Sequence, residues 1–131
     1  MRRDEVRKLM RRSEGLWAAA EFHMSRGEYD LAIFNLEQSL QLFLKAVLLE
    51  AGVDFPRTHG LRRLFMLLGE VAGKRDLFRE FVSAHSLEFA SLEDAYITAR
   101  YFPRDFGREE AERLMEFVRG VKDFVRRFYP A

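Results

Sequence analysis

The residues best suited to chemistry lie in Tyr96-Ile97-Thr98-Ala99-Arg100-Tyr101-Phe102-Pro103-Arg104. Tyr96 and Arg100 are four apart and share one face of a helix. Tyr101 and Arg104 fall at that helix's end, before and after Pro103. A guanidinium beside two phenols can hold a phosphate through paired N–H bonds while a ring stacks on a base. The duller arrangement is also the commoner one. Arg100 then pairs with Glu93, Asp94 or an acid of a neighbouring helix, and the two tyrosines seal the rim of a bundle. A second basic group, Arg57, His59, Arg62 and Arg63, opens the next candidate helix, where free backbone N–H groups favour an anion. A solvated charged face is the commoner explanation of such a cluster.

Other chemistries find little to use. The chain has no cysteine, which excludes disulfides, thiolate catalysis and thiolate zinc sites. Its three histidines, His23, His59 and His85, lie in three separate segments. None forms the Glu-x-x-His or His-Glu-x-x-His pattern that metals need on a helix, so no metal and no cofactor is expected. Glycine-rich phosphate loops and nucleophile elbows are absent, and the glycines fall at helix ends. Arg79 and His85, a cation and a titratable base, fall in one segment. They are six apart, about 120° around a helix, and among so many arginines such a spacing arises readily by chance.

The elements that position these residues read as helices. Sustained period-2 alternation and Asn-Gly or Asp-Gly hairpin turns are absent, whereas period-3.6 stripes recur. Helix one is expected from about Asp4 to Arg26, with Val6, Leu9, Met10, Leu16, Trp17, Ala20 and Met24 as its stripe and Gly27 as its stop. Helix two should run from about Glu28 to Ala51, ending at Gly52. It is apolar on two faces, so it belongs at the centre of the bundle or is shared with a second subunit. A loop around Pro56 follows. Thr58 then caps helix three, whose end is blurred by Gly69 and Gly73. A fourth segment carries Leu77, Phe78, Phe81 and Val82. Ser91 with Asp94 reads as the start of another helix, and Asp105 as the cap of the last, with Glu109 and Glu110 in its first turn.

Bulk properties agree with one domain of 131 residues whose 48% apolar content, including 13 Phe, can build a core without staples. A net charge of +1 gives no general field for nucleic acid. The charged N-terminus shows no signal peptide, and no uncharged apolar run spans a bilayer, so a cytoplasmic protein without a membrane partner is expected. Many charges and few amides lean toward a thermophilic source.

Two stretches, Glu28-Tyr29-Asp30-Leu31-Ala32 and Gln38-Ser39-Leu40-Gln41-Leu42-Phe43-Leu44-Lys45-Ala46-Val47-Leu48-Leu49, are followed by Gly52, His59 and Leu61, and then by Tyr96, Arg100 and Tyr101. Together these residues resemble the HEPN domain (higher eukaryotes and prokaryotes nucleotide-binding) in its small stand-alone prokaryotic form, over about residues 4 to 129. The resemblance implies an antiparallel bundle of four or five helices, usually a homodimer. Many members pair with a minimal nucleotidyltransferase as toxin and antitoxin. Many others are metal-independent ribonucleases with an Arg-x(4–6)-His motif. Neither Arg100 nor Arg104 is followed by a histidine at that distance. The expectation is therefore an all-α, up-and-down homodimeric module that binds a nucleotide, RNA or a nucleotidyltransferase through Tyr96, Arg100, Tyr101, Arg104, Lys45 and His59, without catalysis of its own. The alternatives are a ribonuclease using His85 or His59 with Arg79 or Arg100, and a purely structural dimeric interaction domain.

Overall fold

A computed structural model describes residues 2–57, 60–101 and 105–131, with the backbone alone described for 98–101. Among them are six helices: α1 (Arg2–Ser25), α2 (Tyr29–Glu50), α3 (Leu61–Val71), α4 (Arg75–Ala84), α5 (Ser86–Tyr101) and α6 (Arg108–Phe128). The helices number six because α3 and α4 are separate short helices. Gly73 between them takes φ 69°, a left-handed conformation that suits glycine and ends a helix.

The expected boundaries hold at the N-terminal hairpin. Gly27 (φ 72°) and Gly52 (φ 82°) close α1 and α2. The intervening turn is tied by Glu28 N–H to the His23 carbonyl at 2.9 Å and by the His23 ring to the Glu28 carboxylate at 2.9 Å. That bond is the main reason the exposed Glu28 carboxyl titrates below its ordinary range.

Three boundaries differ. α5 starts at Ser86, so Ser91 lies inside it and caps nothing. His85 alone separates α4 from α5. Its N–H bonds back to the Phe81 and Val82 carbonyls while its own carbonyl accepts the N–H of Phe89, so one helix passes into the next without a linker. Gly107, not Asp105, occupies the N-cap of α6, with no side-chain cap. Glu109 and Glu110 in the first turn are left to meet its dipole. Gly60 precedes α3 in the same way. Thr58 lies outside the described residues.

α2 is the centre of the fold, as its two apolar faces require. It packs against α1, α3, α5 and α6, and Ile33, Leu36, Leu40, Leu44, Ala46, Val47 and Leu48 are fully buried. Its length and composition would allow it to cross a bilayer, yet most of it is enclosed by the other helices, as a core helix is. α1 is the least buried partner. Only Ser13 and Ala20 are fully covered, and Trp17 and Met24 are half-buried at its edge. Beyond α2 the core is aromatic. Phe65 lies 4.7 Å from Phe78 and 5.5 Å from Phe89 between ring centroids, and Phe124 reaches Phe78 at 4.9 Å. These offset and edge-on pairs bind α3, α4, α5 and α6 to one another.

Candidate functional site

One line of polar residues at helical spacing runs along α2: Glu37, Gln41 and Lys45, with Gln38 beside them. The Glu37 carboxylate is fully buried. One of its oxygens accepts from Gln38 Nε2 at 2.7 Å and the other from Gln41 Nε2 at 3.0 Å. Gln41 Oε1 in turn accepts from Lys45 Nζ at 3.1 Å, and Lys45 sits 5.2 Å from the Phe55 ring centroid. A run of hydrogen bonds thus leads from a buried acid to a half-exposed ammonium.

Burial dominates the electrostatics of this line. It pushes the Glu37 carboxyl up to about 7, against the two amide donors and the Lys45 charge, and the nearby Glu93 carboxylate pushes the same way. Burial also lowers the Lys45 ammonium, with Glu37 opposing. Glu37 therefore changes charge near neutral pH. Being enclosed, it connects to the surface through Gln38 on one oxygen and through Gln41 and Lys45 on the other.

Glu93 on α5 forms the other wall. Arg62 places both Nε (2.9 Å) and a terminal nitrogen (2.6 Å) on one Glu93 oxygen, and the Arg62 backbone N–H donates to the second at 3.1 Å. The first turn of α3, where the sequence allowed a bound anion, holds this chain's own carboxylate. Of the expected basic cluster, Arg57 is exposed and Arg62 is committed to Glu93. Tyr96 follows Glu93 by one turn of α5 and is half-buried. Lys45 thus lies on α2 and Tyr96 on α5, two helices that pack on each other. The side chains of Arg100 and Tyr101, and all of His59 and Arg104, lie outside the described residues.

Arg79 and His85 are not assembled into a joint site. Arg79 is exposed and meets Asp76 at 3.5 Å. The His85 ring stacks on Phe81 with centroids 4.2 Å apart and lies 5.6 Å from Phe117, while its Nδ1–H donates to the Phe81 carbonyl at 2.9 Å. Among the described residues, no group of three or more His, Asp or Glu is placed to hold a metal ion.

Sequence reasoning missed Glu37, Gln38 and Gln41 as site residues. The signal was present as an i, i+4, i+8 polar line on a helix otherwise apolar enough to be central. It missed a second polar cluster as well. Ser13 and Ser39, both buried, each donate through Oγ to the other's carbonyl, at 2.6 and 2.8 Å, pinning α1 to α2. Lys122 of α6 donates to Ser39 Oγ at 3.2 Å.

Comparison with known proteins points to one family. Searches of the curated proteins and of the solved structures returned no match. The family model described as HEPN domain matches residues 6–128, nearly the whole chain. With its all-α architecture and the residues of α2 that first carried the likeness, this chain belongs to the HEPN domain family, whose members are nucleotide- and RNA-related modules.

Proposed function

We propose that the chain is a non-catalytic HEPN module. It forms a homodimer and binds a nucleotide, an RNA or a partner minimal nucleotidyltransferase, as the HEPN half of a toxin–antitoxin pair. The observation that supports the binding role is the α2–α5 seam. There Lys45 ends a hydrogen-bonded line from a carboxyl that titrates near neutrality, and Tyr96 stands one turn beyond the Arg62–Glu93 pair. Such a seam offers a cation, a phenol and amides, which suit recognition. The reading without catalysis is supported by Arg79, whose exposed side chain meets Asp76.

Three measurements test the proposal. Light scattering should give twice the chain mass at micromolar concentration, and a strict monomer would overturn the dimer. Calorimetry with ATP should show binding that weakens in Lys45→Gln. No heat at millimolar nucleotide would favour the purely structural domain. Incubation with tRNA should leave the substrate intact. Cleavage that His85→Ala abolishes would establish the ribonuclease instead.

A further inference from the structure

Lys122 of α6 is half-buried beside an open groove of about 310 Å³, which Glu14 and Trp17 of α1 line together with Arg119 and Asp123 of α6. Among the described residues, no carboxylate lies within ion-pair distance of its nitrogen. That nitrogen is 4.7 Å from the Trp17 ring centroid and 5.7 Å from that of Phe43, and it donates to Ser39 Oγ at 3.2 Å. Ser39 gives its own hydroxyl proton to the Ser13 carbonyl, so toward Lys122 it can only accept.

A lysine taken out of water without an acid to pair with gives up its proton readily and becomes a nucleophile. Burial pushes this ammonium down to about 8, against the more distant Glu14 charge. About half of it is therefore uncharged near that pH, whereas a lysine in water is under about one per cent uncharged there. The other charged groups around it decide which reagent can approach. Arg126 is paired with Glu50, and Arg119 with Glu116 in an exposed pair that exchanges cheaply. Glu14 and Asp123 border the groove and disfavour an anionic acyl donor. A small neutral electrophile meets no such opposition.

We propose that Lys122 is a carbamylation site, whose uncharged amine adds to carbon dioxide in the groove between α1 and α6. The nitrogen lone pair forms a bond to the carbon of CO2, one C=O electron pair moves onto oxygen, and the nitrogen sheds a proton to water. Nothing is oxidised and no group leaves. The carbamate nitrogen keeps one N–H, so the bond to Ser39 Oγ survives the reaction. Its new carboxylate forms beside Arg119, whose guanidinium lies 5.1 Å from the centroid of the same indole. Glu14 and Asp123 oppose that charge and favour release, so the adduct follows the supply of CO2. This site uses none of the residues of the α2–α5 seam and does not rest on the function proposed there.

The test is to equilibrate the folded chain with bicarbonate and CO2 near pH 8, trap carbamates with triethyloxonium, and map the ethoxycarbonyl groups by peptide mass spectrometry. The chain has four lysines, Lys8, Lys45, Lys74 and Lys122, which compete within one sample. The trapped group should be at least about tenfold more abundant on Lys122 than on Lys8 or Lys74, and more abundant than on Lys45. With 13C-labelled bicarbonate, the carbamate resonance of the untrapped protein should vanish in Lys122→Arg, which keeps the cation. The proposal is overturned if Lys122 carries no trapped group, if the four lysines carry it equally, or if acetyl phosphate acylates Lys122 while CO2 leaves it unmodified. Mapping on the wild-type chain decides the matter even if Lys122→Arg fails to fold.

Discussion

Glu37 shows how one buried residue sets a property of the whole chain. Its carboxyl titrates near 7 in the folded protein and near 4.5 when unfolded. Between those values the folded state binds the proton more tightly, so stability falls as pH rises through that window and is level above it. The full shift corresponds to something on the order of 3 kcal/mol. Glu37→Gln keeps the shape and removes the titration. Its unfolding free energy, followed by urea denaturation, should lose the downward slope below about 7 that wild type shows. A slope of equal size in both proteins would mean that Glu37 is solvated. Lys45 is the second reporter, because its ammonium gains from an ionised Glu37 and should become more basic as Glu37 ionises.

At the scale of elements, α3 and α4 form a hairpin whose closeness depends on a glycine. A Cβ on Gly69 would come within 2.6 Å of the Phe78 ring and 2.7 Å of its Cβ. Phe78 is fully buried against Phe65 and Phe124 and cannot withdraw. Gly69→Ala should therefore cost about 1–3 kcal/mol in thermal or urea unfolding, although alanine is the better helix former. Pairing it with Phe78→Leu should cost less than the sum of the two single changes. In the sequence Gly69 reads only as a blurred helix end, because nothing local says which aromatic it must admit. The same limit applies elsewhere. Helical stripes, the glycine stops at Gly27 and Gly52, and the central place of α2 were legible, since periodicity and chain breaks are local signals. The uninterrupted passage from α4 to α5, the bare Gly107 cap, the Arg62–Glu93 pair and the Ser13–Ser39 clasp were not. The last two are decided by a partner distant in sequence: Glu93 lies 31 residues from Arg62, and Ser39 lies 26 from Ser13. Of the candidate site, Lys45 and Tyr96 could be found from the resemblance and the helical spacing. Glu37 was marked only by its place in the polar line with Gln41 and Lys45, and nothing local says that amides will hold it buried.

Among the described residues, α2 is packed by four of the other helices and carries polar residues on two of its sides. Glu37 lies near Glu93 of α5, and Ser39 meets Ser13 of α1 and Lys122 of α6. The two sides hold ionisable groups of opposite sign, each disfavoured by burial. Lys122 titrates at about 8 in the folded protein and near 10.5 when unfolded. Between those values the unfolded chain binds more protons, so the Lys122 contribution rises with pH across that window. Glu37 falls up to about 7 and Lys122 rises from about 8. Their joint contribution is therefore lowest at neutral pH, where both groups are charged and enclosed. Such a minimum is the reverse of the usual maximum between acid and alkaline unfolding. It follows if both charges are held ready for something that binds. Lys122→Met should flatten the alkaline rise and leave the acid side unchanged, whereas Glu37→Gln should do the opposite. Unfolding free energy measured across the pH range for both variants and the double variant decides the matter. Two independent sites give additive changes. A shared response would show that the two sides of α2 are coupled.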